Sequence, residues 1–142
     1  MSGSPSPQQH ANPPGKVLVV EDQEPLRLAL GDFFRDEGFL VQLAADGVQA
    51  VEAHGRFEPD VTMMDLRMPG WDGLETTHQI KGRDALSQVI VFTATDDPAT
   101  RKWAEDEGVF CFLHKSVSPD LILETVAQAI AYKRSLENNP GL

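Results

Sequence analysis

The stretch Lys16–Gly38, KVLVVEDQEPLRLALGDFFRDEG, decides the fold. Val17 to Val20 are apolar in succession, three of them β-branched. A strand with one wet face would alternate, so this run reads as one buried on both faces of a parallel sheet. Pro25 then stands where a first helical turn tolerates it. Leu26, Ala29, Leu30, Phe33 and Phe34 recur at helical spacing, and Gly38 supplies the stop. Two acids, Glu21 and Asp22, fill the turn between strand and helix.

The same unit recurs along the chain. Strand-like runs stand at Phe39–Ala44, Asp60–Met64, Gln88–Thr93 and Val109–Leu113. Between them, Asp46 caps a helix expected through about His54, and Gly73 to Lys81 fits a third. Asp97 with Pro98 opens a fourth that ends near Gly108. Ser118 with Pro119 opens the last, whose buried side carries Ile122, Val126, Ala129 and Ile130. Five strands alternating with five helices predict a doubly wound α/β sandwich on a five-stranded parallel sheet. Residues 1–15, rich in Ser, Pro, Gly and Gln, read as a flexible leader. The folded domain is expected over 16–135, with 136–142 a flexible tail or the start of a linker.

Composition narrows the function. Lys and Arg number 12 against 22 Asp and Glu, a net charge of −10. Direct binding to nucleic acid or an anionic membrane needs a basic patch, which this balance disfavours. The one cysteine, Cys111, lies in an apolar run and cannot form an intrachain disulfide. No run reaches the roughly 18–20 apolar residues of a membrane span, and no signal peptide is visible. A cytoplasmic protein is expected. His10, His54, His78 and His114 lack metal-ligand spacing. Gly70 and Gly73 do not form a phosphate-cradling loop. Trp71 and Trp103 read as surface residues, as suited to packing as to anchoring a partner.

In doubly wound sheets the ligand crevice lies beyond the carboxyl ends of the strands. The polar residues there are Glu21 and Asp22, Asp65, Thr93 and Lys115. Carboxylates from separate strands, brought together, repel unless a proton or a cation intervenes. A hard divalent ion such as Mg²⁺ fits that need. Asp65 then offers a carboxylate nucleophile for a phosphoryl group. Its negative oxygens would be met by the metal, the Lys115 ammonium and the Thr93 hydroxyl.

The segments VLVVEDQ, MMDLRMPGWDG, VFTAT and FLHK resemble, in order, the four signature segments of bacterial response-regulator receiver domains. Separations of 43, 28 and 22 residues between Asp22, Asp65, Thr93 and Lys115 also fit. The resemblance spans Lys16 to about Tyr132 and implies a flavodoxin-like (βα)5 sandwich. It implies Asp65 as phosphoacceptor and Mg²⁺ as cofactor. The metal would be held by Asp22, Asp65, the backbone carbonyl of Arg67 and, through a water, Glu21. It further implies Thr93 and Phe112 as switch residues and Lys115 as the phosphoryl-binding lysine. A sensor histidine kinase or phosphotransfer protein would be the donor. Output would pass through the fourth helix, fifth strand and fifth helix, including Trp103, Phe112 and Tyr132, to an output domain or target protein. Ser116 departs from the family, which has proline after this lysine, often through a cis peptide.

Each residue has a plainer reading. Glu21 and Asp22 could be helix N-terminal charges, Asp65 a turn residue, Thr93 a strand-end hydroxyl, Lys115 a solvated lysine and Phe112 a core aromatic. Two rival functions stand beside this reading, the first of them on the same fold. One is an interaction module that signals without phosphorylation, for which Ser116 is the only support. The other is a Mg²⁺-dependent aspartyl-phosphate phosphatase, which would need a second acid (Asp72 is the weak candidate) and a cap over its substrate.

Overall fold

The computed structural model describes residues 14–67, 72–94 and 97–138. The expectations for the leader up to residue 13, for Trp71 and for residues 139–142 lie outside them. Five strands, β1 (Lys16–Val20), β2 (Leu40–Ala44), β3 (Val61–Met64), β4 (Gln88–Thr93) and β5 (Cys111–His114), alternate with five helices. These are α1 (Glu24–Asp36), α2 (Gly47–Phe57), α3 (Gly73–Arg83), α4 (Pro98–Asp106) and α5 (Pro119–Asn138). The strands form one sheet in the order β2-β1-β3-β4-β5, every neighbouring pair parallel. The expected doubly wound fold is the observed one.

Strand period explains the two layers. Val17 and Val19 point to one face, where they meet Leu30 and Phe34 of α1 and Ile122, Val126, Ala129 and Ile130 of α5. Leu18 and Val20 point to the other, against Ala50 and Ala53 of α2, Ile80 of α3 and Ala104 of α4. Both faces are covered, as crossover helices on a parallel sheet require. Burying one such aliphatic side chain contributes about 1.5–3 kcal/mol.

Boundaries differ from expectation where local contacts decide them. On α1, Ala29 is exposed and Gly31 is buried instead, close against Leu43 of β2. The helix is rotated so that its smallest residue meets the sheet. Gly38 does terminate α1, at φ +95°. β5 begins at Cys111 rather than Val109, because the Val109 amide still donates to Ala104 of α4. α5 continues to Asn138, past the stop expected near Ser135, with Lys133 and Glu137 paired at 2.9 Å across its last turn. Asp46, Asp72 and Asp97 each cap a helix, accepting a backbone N–H from Gln49, Glu75 and Ala99. That satisfies donors no helix can satisfy itself.

Candidate functional site

In the order 2-1-3-4-5 the connections from β1 and β3 leave toward opposite faces. The crevice therefore opens between the carboxyl ends of these two adjacent strands. Glu21 and Asp65 continue β1 and β3 by one residue each. The Glu21 amide donates to Ala44 and the Asp65 amide to Val20, both at 3.0 Å. The sheet thus fixes the two carboxylates before any side-chain contact is made.

Glu21 is 1% exposed and Asp65 3%, while Asp22 is open to solvent. One carboxylate oxygen from each of the three lies within 4.8 Å of the others. The Lys115 ammonium bridges Glu21 Oε1 at 2.9 Å and Asp65 Oδ2 at 3.3 Å. The Gln23 amide donates to Glu21 Oε2 at 3.1 Å, and the Arg67 amide to Asp65 Oδ1 at 3.2 Å. Arg27 of α1 donates to the carbonyls of Glu21 and Asp22, which braces the acidic turn.

One ammonium does not balance three carboxylates. Burial pushes the Glu21 carboxyl up to about 7, with Asp65 adding to the rise and Lys115 and the Gln23 amide opposing it. Burial works against the Lys115 charge, yet Glu21 and Asp65 outweigh it and hold the ammonium above its usual range. The first shift comes mainly from burial and the second from the two carboxylates around the ammonium. The hard oxygen donors of Glu21, Asp22 and Asp65 fit a small divalent cation.

Thr93, 1% exposed, ends β4, and its carbonyl accepts from the Lys115 amide at 2.9 Å. Sheet register sets Val91 beside Phe112 and Thr93 beside His114. Phe112 is half-buried under α4, with the Arg101 guanidinium 4.4 Å from its ring centroid. An opening of about 220 Å³ is lined by Leu66, Arg67, Asp72, Leu74, Thr93, Asp97 and Thr100. Among the described residues no peptide bond is cis, so Lys115–Ser116 is trans.

The structure brings Glu21, Asp22, Asp65 and Lys115 into one cluster, with Thr93 tied to Lys115 through the backbone. Phe112 stands on the neighbouring strand under α4. Sequence reasoning missed Gly73. A Cβ there would strike the Asp65 carbonyl oxygen and come within 2.6 Å of the Leu66 Cα, so glycine lets α3 start against the Asp65 backbone. Its spacing from Asp65 was visible, but the close approach is tertiary. Arg27 and Arg101 were also missed, since nothing local distinguishes them from solvated arginines.

Comparison with known proteins agrees with this geometry. The response regulator receiver domain family matches residues 17–127. Sporulation initiation phosphotransferase F of Bacillus subtilis (strain 168) is 30% identical over 118 residues, covering 83% of this chain and 95% of the relative. Chemotaxis protein CheY of Halobacterium salinarum (strain ATCC 29341 / DSM 671 / R1) is 30% identical over 115 residues, covering 81% and 96%. Among solved structures, the CheX-CheY-BeF3-Mg+2 complex from Borrelia burgdorferi aligns with a TM-score of 0.78 at 27% identity, covering 84% and 91%. A CheY-like receiver domain protein from Methanospirillum hungatei JF-1 shares the fold, with a TM-score of 0.83 at 16% identity over 87% and 98%. Domains of this kind act in two-component signalling, alongside histidine kinases or phosphotransfer proteins and output domains, and are signalling domains rather than turnover enzymes. A buried acidic crevice on a 2-1-3-4-5 sheet and a family match across both its strands lead to one assignment: the chain belongs to the response regulator receiver domain family.

Proposed function

We propose that the chain is a phosphorylation-dependent switch of a two-component system, with Asp65 as phosphoacceptor. The observation that carries this reading is the convergence of Glu21, Asp22 and Asp65 within 4.8 Å, with Lys115 bridging two of them. An Asp65 carboxylate oxygen attacks the phosphorus of a phosphohistidine on a kinase or phosphotransfer protein. The P–N bond breaks, its electrons stay on the imidazole, and an acyl phosphate remains on Asp65.

Mg²⁺ would be held by Asp22, Asp65 and the Arg67 carbonyl, with Glu21 acting through a water, and would neutralise charge on the transferring group. Lys115 leaves Asp65 to pair with a phosphoryl oxygen, and the Thr93 hydroxyl donates to another. The phosphoryl group adds about −1.5 to −2 charges. Drawing Thr93 inward changes the packing around Phe112 and so the face made by α4, β5 and α5. Tyr132 is exposed beside Phe110 on that face, which would meet the output domain or target protein; Trp103, expected there, lines an opening with Leu74, Glu75 and His78 of α3 instead. The working domain runs from 16 to the end of α5 at 138, and it acts in the cytoplasm beside its kinase.

The test is intact mass after treatment with acetyl phosphate, with and without Mg²⁺, on wild type and Asp65→Asn. The expected result is one phosphate added, dependent on Mg²⁺ and lost in Asp65→Asn. The Borrelia relative's complex with BeF3 and Mg²⁺ suggests a second probe for an adduct that hydrolyses quickly. A protein that takes neither phosphate nor beryllofluoride overturns the reading in favour of an interaction module that works without phosphorylation.

A further inference from the structure

His114 closes β5 and lies beside Thr93 in register. Its ring is exposed, yet both nitrogens are engaged. Nδ1 lies 3.1 Å from the Ser116 backbone nitrogen and 2.7 Å from Ser116 Oγ, and Nε2 lies 3.2 Å from the Ala94 carbonyl oxygen. These partners set the tautomer. An amide N–H only donates, so Nδ1 carries the lone pair; a carbonyl only accepts, so Nε2 carries the proton. Ser116 is the position where the sequence leaves its family's pattern. A proline there has no N–H to offer. The Val117 amide donates to the His114 carbonyl at 3.1 Å, so hydrogen bonds close the turn that presents Lys115.

We propose that His114 is a positioning residue: oriented by Ser116, it holds the Ala94 carbonyl and restrains the Thr93–Ala94 segment in its unphosphorylated arrangement. This rests on the phosphorylation switch proposed above. In the proposed switch the Ala94 peptide, which follows Thr93 directly, moves with the segment when the hydroxyl is drawn to a phosphoryl group on Asp65. A contact made in one arrangement opposes the change by its own net worth. For an exposed hydrogen bond that is roughly a two- to fivefold bias.

The experiment is a beryllofluoride titration of the full chain in saturating Mg²⁺, followed by amide spectra, on wild type, His114→Phe and His114→Gln. Phenylalanine keeps the ring's bulk without its hydrogen bonds, and its half-saturation should fall roughly two- to fivefold. Glutamine can accept from Ser116 and donate to Ala94, and should stay within about twofold of wild type. In alkaline buffer the ¹⁵N spectrum of the ligand-free wild type should place the imidazole proton on Nε2. A wild type that responds while His114→Phe binds equally or more weakly overturns the restraint alone, as does a proton on Nδ1. A wild type that does not respond overturns the switch and the restraint together.

Discussion

Among single residues, the consequential ones are buried charges held by their neighbours. Glu21 is kept in the fold by Lys115 and the Gln23 amide, so removing Lys115 would leave it without its strongest partner. His54 is a buried titratable group away from the crevice. It is 5% exposed, with Nε2 at 2.8 Å from Ser87 Oγ, and burial lowers its pKa from 6.5. The folded state therefore resists protonation while the unfolded chain accepts a proton near the ordinary value. His54 contributes its full stability above about pH 6.5 and loses it as pH falls from there through its depressed folded pKa. Urea unfolding across that window should show stability falling by at most about 1.4 kcal/mol per pH unit from this group. His54→Gln, which can still hydrogen-bond Ser87, should flatten that part of the profile.

For the elements, the decisive contact is the docking of α3 against the end of β3. Gly73 donates its amide to the Leu66 carbonyl at 3.1 Å and leaves no room for a side chain. The atoms in the way are backbone, so no rotamer change relieves the clash. Gly73→Ala should cost about 1–3 kcal/mol in denaturant unfolding. It should also slow phosphorylation by acetyl phosphate, because the helix cannot be displaced without moving Asp65. Gly55→Ala is the control: nothing lies within 4 Å of its Cβ position. It should leave phosphorylation unchanged and hold or raise stability, since alanine favours a helix interior by about 1 kcal/mol.

Across the whole molecule, the site exists because two strands distant in sequence lie side by side, with β1 between β2 and β3 and β4 beyond. Three carboxylates converge only in the folded chain, so a cation they bind should stabilise the domain as a unit. At a Mg²⁺ concentration about a hundredfold above its Kd, the gain should be about 2.7 kcal/mol. It should be read as a rise in Tm that disappears in Asp22→Ala. A Tm indifferent to Mg²⁺ would count against the metal site.

Legibility in the sequence follows from how local the physics is. The five strands and five helices were readable because the period-2 and period-3.6 patterns, the aspartate caps and the glycine stops act within a few residues. The acids, the threonine and the lysine at the strand ends could be named because a parallel α/β sheet gathers its ligands there. Long-range packing decided the rest. Which helix residue met the sheet, Gly31 rather than Ala29, depended on Leu43 from another element. Arg101 found Phe112, and Arg27 the carbonyls of the acidic turn, across gaps that no periodicity encodes. The trans peptide at Ser116 and the seat of His114 between two loops also appear only once β4 and β5 are paired. The sequence by itself determined which groups stand at the crevice; the tertiary structure alone decided which of them touch, because contact depends on distances that only the packed sheet sets.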